Sequence, residues 1–215
     1  MAASVVPSIS FDRLLLATGN RHKFGEFLEL LPRGAVKNLL FAPDLPSASP
    51  AIIMKIPEVE ETGSTYVMNA LLKARAWSGA TGLPSLADDS GIEVEALKWE
   101  PGVRSARVSD GGRLLSSDAE RNRWLLSRME GRTDRRASYV AAVVLSLPEE
   151  WSLACEGVCD GRLATSETGE HGFGYDPIFV PDGYNVSFGE LPTVVKNRIS
   201  HRAKAVTTLL SILGS

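Results

Sequence analysis

The sequence predicts an α/β fold, in which helices alternate with buried strands. Residues Tyr139 to Leu147 are almost continuously apolar and β-branched, as in a central strand that is covered on both faces. Apolar residues elsewhere recur at helical spacing, for example at Phe24, Phe27, Leu28 and Leu31. The chain has 215 residues, of which 44% are hydrophobic, and it contains no internal repeat. This length allows one large domain or a single fold with two lobes.

The N-terminal part of the chain is predicted to form a strand, a helix and a second strand. Residues 1–12 lack the basic start and long apolar core of a signal peptide, and we expect a flexible lead-in before a single domain of residues 13–215. The first strand is predicted from Leu14 to Ala17, where the apolar run meets a Thr-Gly-Asn turn. The helix that follows is expected to stop at Pro32, and the second strand to extend from Val36 to Phe41.

The middle of the chain is predicted to contain two further helices with a strand between them. The first of these helices can be capped by Ser64 or Thr65. The strand from Pro84 to Ala87 follows it and runs directly into the sequence Asp88-Asp89-Ser90-Gly91. Asp118 is placed to cap the second helix.

The C-terminal part is predicted to add a strand and a last helix. The strand, from Trp151 to Cys159, is expected to pair beside the central strand, and the helix to begin near Ser200 and end at Gly214. Four residues of strand would separate the Cys155 and Cys159 sulfurs by ~13 Å, which is too far for a disulfide. Two reduced thiols favour a reducing, cytoplasmic location.

The charge and hydropathy of the chain exclude several classes of protein. Its 23 basic and 26 acidic residues give a net charge of −3, so it has no basic excess to bind a nucleic-acid backbone. No apolar run reaches the ~20 residues of a membrane span, and no polybasic tail is present. We therefore expect neither a nucleic acid nor a membrane as a partner.

A first polar cluster, Thr18 to Lys23, follows the first predicted strand. Its glycine turn and the start of the next helix would present free backbone N–H groups, and Lys23 adds a positive charge. This arrangement suits a phosphate, although the second glycine and the Lys-Ser/Thr pair of a P-loop are missing. An ordinary capped turn is the alternative interpretation of the same residues.

Two pairs of carboxylates are candidates for binding a divalent cation. Mg²⁺ prefers oxygen ligands and typically takes one or two carboxylates together with substrate phosphates. Glu60 and Glu61 are equally consistent with a solvated turn. Asp88 and Asp89 directly follow an apolar strand, where a charge is costly unless a metal or hydrogen-bond donors balance it. A helix cap by Asp89 or Ser90 is the competing interpretation.

A further polar cluster lies towards the C-terminus. Glycines flank aromatic residues in the segment from Gly172 to Pro177, which would leave ring faces open for a planar base to stack on. His201 and Arg202 are predicted at a helix N-terminus, where the helix dipole favours anions instead of cations. Cations in that place indicate a ligand acceptor or a phosphate nearby, and an exposed arginine on a first helical turn is the alternative.

Six segments between Leu14 and Ala205 carry a resemblance to a known family. They are LLLATGNRHKFGEF, EETGSTYVMNALLKARA, LADDSGIEVEAL, PGVRSAR, GFGYDPIFVPDGY and KNRISHRAKA. In this order they resemble the inosine/xanthosine triphosphate pyrophosphatase family, whose members clear non-standard purine nucleoside triphosphates. The resemblance implies a long twisted mixed sheet with flanking helices, two lobes around a nucleotide cleft, and a homodimer.

The resemblance also implies an activity and a role for each matching residue. The chain would hydrolyse ITP, dITP and XTP to the monophosphate and pyrophosphate. Asp89 would activate the attacking water, and Glu60 or Glu61 would hold Mg²⁺ together with Asp89. The residues implied to bind the substrate are Thr18, Gly19, Asn20, Arg21, His22, Lys23, Lys73, Ser90, Phe173, Gly174, Tyr175, Asp176, Lys196, His201 and Arg202.

The sequence departs from the family pattern at a few positions, and two other functions stay open. Lys98-Trp99-Glu100 stands where the family has a glycine-rich pair before Pro101. The first alternative function is a related nucleotide pyrophosphatase with a different base preference. The second is a nucleotide-binding module without catalysis, which would not require the acidic residues Glu60, Glu61 and Asp89.

Overall fold

The computed structural model describes residues 9–45, 59–148 and 151–214, which form alternating helices and strands. The elements are, in chain order, β1 (Phe11–Leu16), α1 (Arg21–Leu30), β2 (Val36–Phe41), α2 (Tyr66–Thr81), β3 (Ser85–Val94), β4 (Glu100–Pro101), β5 (Ser109–Asp110), β6 (Arg113–Leu114), α3 (Asp118–Arg128), β7 (Arg136–Ser146), β8 (Ser152–Leu163), β9 (Phe179–Pro181), α4 (Thr193–Ile199) and α5 (His201–Leu213). None of the helices in these ranges has both the length and the apolar character of a membrane span.

The main sheet contains both parallel and antiparallel strand pairs. Its strand order is β2-β1-β3-β7-β8-β9, and β4 pairs with β3 off this path. β1 is parallel to both of its neighbours, so that Leu15 lies opposite Leu40 of β2 and opposite Ser85 of β3. β8 and β9 are antiparallel, as are β3 and β4. The predicted α/β class with a mixed sheet is therefore confirmed.

The described residues divide into two compact units. The first comprises the residues up to Asp89, residues 141–157 and the residues from Lys204 onwards. The second comprises residues 90–140 and 158–203. The chain passes from one unit to the other within β3, β7, β8 and α5.

The first unit has a core of aliphatic and aromatic side chains. Phe27 of α1 is fully buried, and it belongs to a cluster with Leu16 of β1, Leu86 of β3 and Leu209 of α5. Phe27 and Leu31 confirm the inward-facing stripe predicted for α1, whereas Leu28 is exposed. Removal of this apolar surface from water is what holds α1 and α5 on the strands.

The second unit has a core centred on aromatic rings. The ring centroid of Tyr139 on β7 lies 4.7 Å from that of Phe179 and 6.3 Å from that of Phe188. Leu125, in the last turn of α3, and Met129, just after that helix, complete this cluster. β7 is buried almost throughout, which confirms its prediction as a central strand.

Several predicted boundaries are wrong. β1 begins at Phe11, within the expected lead-in, and residues 1–8 of that lead-in lie outside the described residues. β3 does not end at Ala87 but continues through Asp88 and Asp89 to Val94. The interpretation of Asp89 or Ser90 as a helix cap is therefore wrong.

Two helix starts show what a capping side chain requires. Thr65 caps α2, because its hydroxyl accepts a hydrogen bond from the Met68 backbone N–H. Ser117, and not Asp118, caps α3, and it forms a reciprocal capping box with Glu120. Asp118 is instead the first helical residue, and its carboxylate is left for another contact. The short helix α4 has no counterpart among the predicted elements.

The two cysteines behave as predicted. Cys155 and Cys159 are both free thiols in β8, and both are buried. Burial raises the pKa of the Cys155 thiol. The Cys155 side chain is therefore not disposed to form the reactive thiolate.

The Lys98-Trp99 step has an uncommon backbone conformation. Lys98 has φ 56° and Trp99 has φ 69°, which are left-handed values that favour glycine. A glycine at either position would adopt these values without a steric penalty. Because both residues carry a Cβ atom, this conformation strains the backbone at Lys98 and Trp99.

We expect Lys98→Gly to raise the free energy of unfolding by about 0.5–1 kcal/mol, because the strain removed exceeds the extra entropy of the unfolded glycine chain. Urea unfolding would measure the change. Lys98→Ala is the matched control, since alanine removes the same charge but retains a Cβ atom and hence the strain. An equal gain from both variants would show that the charge, and not the backbone, is responsible.

Candidate active site

The turn between β1 and α1 is held by its own side chains. Asn20 caps α1, and its Oδ1 atom accepts hydrogen bonds from the backbone N–H groups of His22, at 2.9 Å, and Lys23, at 3.2 Å. The hydroxyl of Thr18 accepts a further bond from the Asn20 N–H at 3.1 Å. The expectation that these N–H groups are free for a phosphate is therefore wrong, because the capped-turn alternative uses them.

The remaining residues of this turn lie at the surface. The Arg21 guanidinium pairs with Asp44 at 3.3 Å and lies 4.8 Å from the centroid of the Phe41 ring. His22 is exposed, and a Cβ atom added at Gly19 would meet no heavy atom within 4 Å. This part of the turn is therefore exposed to solvent, and the positive charge of Arg21 is paired with Asp44.

Lys23 points from α1 to the acidic pair of β3. Its Nζ atom lies 3.2 Å from Oδ1 of Asp88, whose side chain is fully buried. A buried carboxylate is costly unless a cation or hydrogen-bond donors compensate it. The ion pair with Lys23 is the compensation that allows Asp88 to lie inside the strand.

Lys73 of α2 lies between the carboxylates of Asp89 and Glu61. Its Nζ atom lies 2.6 Å from Oε1 of Glu61 and 3.6 Å from Oδ1 of Asp89. It also donates to the backbone carbonyl of Asp88 at 2.8 Å. The side chains of Lys73, Glu61 and Asp89 are only 14%, 19% and 9% exposed, so these charges interact with little screening by water.

Asn69 is a member of this cluster that the sequence analysis missed. Its Nδ2 group donates to Oδ2 of Asp89 at 3.0 Å, and its Oδ1 accepts from the Gly63 N–H at 2.8 Å. A Cβ atom at Gly63 would lie 2.7 Å from the same Oδ1, so only glycine fits there. The available signal was the spacing of Asn69 and Lys73, which places both on one face of a helix.

The environment of Asp89 changes its acidity. Burial raises its pKa above the ordinary value, and the nearby Glu61 acts in the same direction, whereas Lys73 and the hydrogen bond from Asn69 lower it. Burial is the strongest of these effects. A carboxylate with a raised pKa is a better proton acceptor near neutral pH than a surface aspartate.

The carboxylate oxygens in this cluster fit a divalent cation that also binds oxygen atoms of a substrate. In the ranges that the structure describes, no group of three or more His, Cys, Asp or Glu side chains is arranged to hold a metal. Glu61 and Asp89 nevertheless already share one cation, the ammonium group of Lys73. Two carboxylates completed by substrate oxygens are what Mg²⁺ accepts, and Glu60 is exposed outside this pair.

In the second unit, a buried ion pair shapes the glycine-rich turn. Oδ2 of Asp176 accepts from the Phe173 backbone N–H at 2.8 Å and from Nζ of Lys196 at 2.5 Å. A Cβ atom at Gly172, where φ is 75°, would lie 2.0 Å from this oxygen. The glycine is thus required for the close approach of the carboxylate to the turn.

The two aromatic rings in this turn differ in their exposure to solvent. Phe173 is half-buried, with Nζ of Lys196 5.0 Å and the guanidinium carbon of Arg202 5.8 Å from its ring centroid. Tyr175 is buried, and its hydroxyl donates to the Ser105 carbonyl at 2.8 Å. Burial also raises its pKa. The predicted open ring face is therefore wrong for Tyr175 and stays a prediction for Phe173.

The first turn of α5 is buried, so the alternative of an exposed arginine is wrong. Arg202 is 2% exposed, and its guanidinium donates to the hydroxyl of Ser90 at 3.0 Å. The ring of His201 stacks on that of Tyr139 with a centroid distance of 4.5 Å and an angle of 5° between the planes. Both side chains are held in one orientation by these contacts.

Asp118 has a second role that its position in the sequence did not reveal. Its Oδ2 atom accepts from the backbone N–H of Gly174 at 2.6 Å, and its other oxygen pairs with Arg121. The contact joins residues far apart in the sequence, so no local pattern could predict it. It fixes the glycine-rich turn from the side of α3.

Comparison with known proteins identifies the family. The family model described as the Ham1 family matches residues 14–212, which is nearly the whole chain. The chain belongs to the Ham1 family. The resemblance found in its sequence motifs is thereby confirmed.

Ham1 relatives match the chain over most of its length. The dITP/XTP pyrophosphatase of Deinococcus radiodurans is 45% identical over 94% of both chains. That of Aquifex aeolicus is 40% identical over 94% of this chain and 96% of its own. Among solved structures, a HAM1 protein from Coxiella burnetii has a TM-score of 0.78 and 37% identity, and it covers 94% of this chain and 98% of its own.

We expect Asp89→Asn to raise the free energy of unfolding at pH 7. Because the folded-state pKa of Asp89 lies above the ordinary 3.8, its contribution to stability is full below that pH and is lost as the pH rises through the folded-state pKa. The asparagine cannot ionise, so its gain should shrink as the pH falls towards 4. Urea unfolding at several pH values would measure this difference.

Asp134→Asn is the control with the opposite sign. Hydrogen bonds from Arg136 lower the pKa of Asp134 to about 2, so its stabilisation is present at neutral pH and is lost as the pH falls through that value. This variant should lower stability at pH 7. A loss of stability in both variants would contradict the role assigned to burial at Asp89.

Proposed function

We propose that this chain hydrolyses the non-standard purine nucleoside triphosphates ITP, dITP and XTP to the nucleoside monophosphate and pyrophosphate. The observation that carries the proposal is the buried cluster of Lys23, Lys73, Glu61, Asp88 and Asp89. It occurs in a chain whose relatives are dITP/XTP pyrophosphatases. A protein that only bound nucleotides would not need buried, mutually repelling carboxylates in such a place.

The proposed roles begin with the phosphates. Lys23 and Lys73 would bind the triphosphate, and the Mg²⁺ ion would be held by Glu61 and Asp89. When bound there, Mg²⁺ would supply positive charge against the charge that develops on the leaving pyrophosphate. Preorganised positive charge of this kind lowers the barrier to phosphoryl transfer without covalent chemistry by the protein.

Asp89 is the proposed general base. A water oxygen would attack the α-phosphorus, the bond from that phosphorus to the bridging α–β oxygen would break, and pyrophosphate would leave. The water proton would pass to the Asp89 carboxylate. Asn69, through its bond to Oδ2, would hold that carboxylate in one orientation.

The proposed base site lies in the second unit. Phe173 offers a ring face for stacking on a purine, and Arg202 offers guanidinium donors close to that ring. Hypoxanthine and xanthine carry a 6-keto oxygen that accepts such a donor, whereas adenine carries an amino group there. The mismatch would leave buried donors unpaired, and this selects against adenine.

The assembly and location of the protein are also part of the proposal. We infer a cytoplasmic homodimer with a single functional domain that begins with β1, two residues before the predicted start at residue 13, on the basis of the family resemblance and the two free thiols. Light scattering on the purified chain would measure its mass in solution. A monomer at micromolar concentration would contradict the dimer.

A substrate panel with Mg²⁺ tests the activity. We expect monophosphate and pyrophosphate as the products from ITP, dITP and XTP. Turnover of ATP should be about 10⁴-fold slower, because the 6-amino group of adenine cannot accept hydrogen bonds from the donors in the base site. Chromatography that separates pyrophosphate from orthophosphate would measure the products. Release of orthophosphate, or faster turnover of another base, would contradict the proposal.

Asp89→Asn tests the proposed base directly. We expect pyrophosphate release from ITP to fall by about 10²–10⁴-fold, which is the usual contribution of a general base. Asp134→Asn removes a carboxylate of the exposed surface and should leave the rate unchanged. Turnover of the Asp89 variant within a few-fold of the parent would contradict the assigned role.

Phe173→Ala tests the stacking face. Loss of base–aromatic stacking is worth about 1–3 kcal/mol, so we expect KM for ITP to rise by about 5–150-fold. Tyr184→Ala is the control, because Tyr184 is also a half-buried aromatic residue that packs on the core of the second unit. An equal rise of KM in both variants would indicate a loss of packing and not of stacking.

A further inference from the structure

We propose that Lys73 is an internal counter-ion that competes with the divalent cation for Glu61 and Asp89. The inference rests on the proposed function, since it assumes that these two carboxylates bind a metal. The ammonium group lies 2.6 Å from one carboxylate and 3.6 Å from the other. It therefore occupies the position between them that a bound cation would take.

Burial explains why the cluster needs a cation at all times. Glu61 and Asp89 are close enough for Glu61 to raise the pKa of Asp89, and both side chains are largely shielded from water. Two carboxylates in this environment repel each other strongly when no cation lies between them. Lys73 supplies that cation from within the chain, so the folded site does not depend on a metal.

An ammonium group and a divalent cation cannot both occupy the same carboxylate oxygens. Binding of the metal therefore requires Lys73 to leave Glu61 and Asp89. Its third partner, the Asp88 backbone carbonyl at 2.8 Å, lies outside this pair and can retain the ammonium group on its flexible stem. The metal affinity of the free protein is reduced by the free energy that this release costs.

The nucleotide changes this balance. Once released, Lys73 can bind a phosphate oxygen, so a triphosphate offers it a new partner at the moment when the metal takes the old ones. Metal and nucleotide then favour each other's binding, and the coupling is reciprocal. The free protein would bind the metal weakly, and the metal and the nucleotide would bind to it together.

The test measures binding of Mn²⁺ alone to the nucleotide-free protein. Mn²⁺ prefers the same oxygen ligands as Mg²⁺, and the electron paramagnetic resonance signal of the free ion reports how much is bound. We expect Lys73→Met to tighten Mn²⁺ binding by about tenfold or more, within the range usual for coupled sites. Mn²⁺ should also raise the melting temperature of this variant more than that of the parent.

Lys37→Met is the matched control. Lys37 forms an ion pair of 2.6 Å with Asp12 in the same unit, but both side chains are exposed. The variant removes one positive charge, as Lys73→Met does, and should leave Mn²⁺ affinity unchanged. A similar gain in both variants would overturn the proposal, because net charge alone would then explain it.

Lys73→Gln covers the case in which the methionine variant does not fold. Glutamine removes the charge but keeps a donor for Glu61 or the Asp88 carbonyl, and it should also tighten Mn²⁺ binding. Unchanged or weaker binding in the folded variants, or no saturable binding in any of them, would overturn the proposal. A failure of the proposed function would appear separately, as a parent enzyme that binds Mn²⁺ but releases no pyrophosphate.

Discussion

The burial of two consecutive carboxylates in one strand is the constraint on which the first unit depends. Side chains of neighbouring strand residues point to opposite faces of a sheet, so Asp88 and Asp89 have different nearest partners, although the charge of Lys23 also lowers the pKa of Asp89. Lys23 of α1 compensates the first, and Asn69 with Lys73 of α2 compensates the second. The need to satisfy both carboxylates therefore fixes which side chains α1 and α2 must present to β3.

The burial of Asp89 has opposite effects on the stability of the fold and on the proposed chemistry. An ionised Asp89 is unfavourable in its buried position, as its raised pKa indicates, and an uncharged residue would be tolerated more easily. We expect the ionised carboxylate to weaken the fold at neutral pH, where an asparagine would not. A residue that costs stability where it stands is expected at a site that performs chemistry.

The helices other than α4, the central strand and the family were predictable from the sequence, because each depends on local periodicity or on short motifs. The path of β3 was not, since a rule based on polarity ends a strand at Asp88, and only the distant partners Lys23 and Lys73 make its continuation possible. The contacts of Asn69 and Asp118 were missed for a related reason. Their partners, Asp89 and Gly174, lie 20 and 56 residues away in the sequence.

Two of the buried lysine–carboxylate pairs, Lys196 with Asp176 and Lys73 with Glu61 and Asp89, differ in whether the lysine can turn to a substrate. Lys196 and Asp176 are 5% and 2% exposed, and Asp176 also holds the Phe173 N–H. If Lys196 turned to a ligand, this carboxylate would lose its cation with nothing to replace it, which is strongly unfavourable. Lys73 can leave its carboxylates, because a divalent cation would take its place. We therefore expect Lys196 to hold the turn that carries Phe173, and Lys73 to exchange partners.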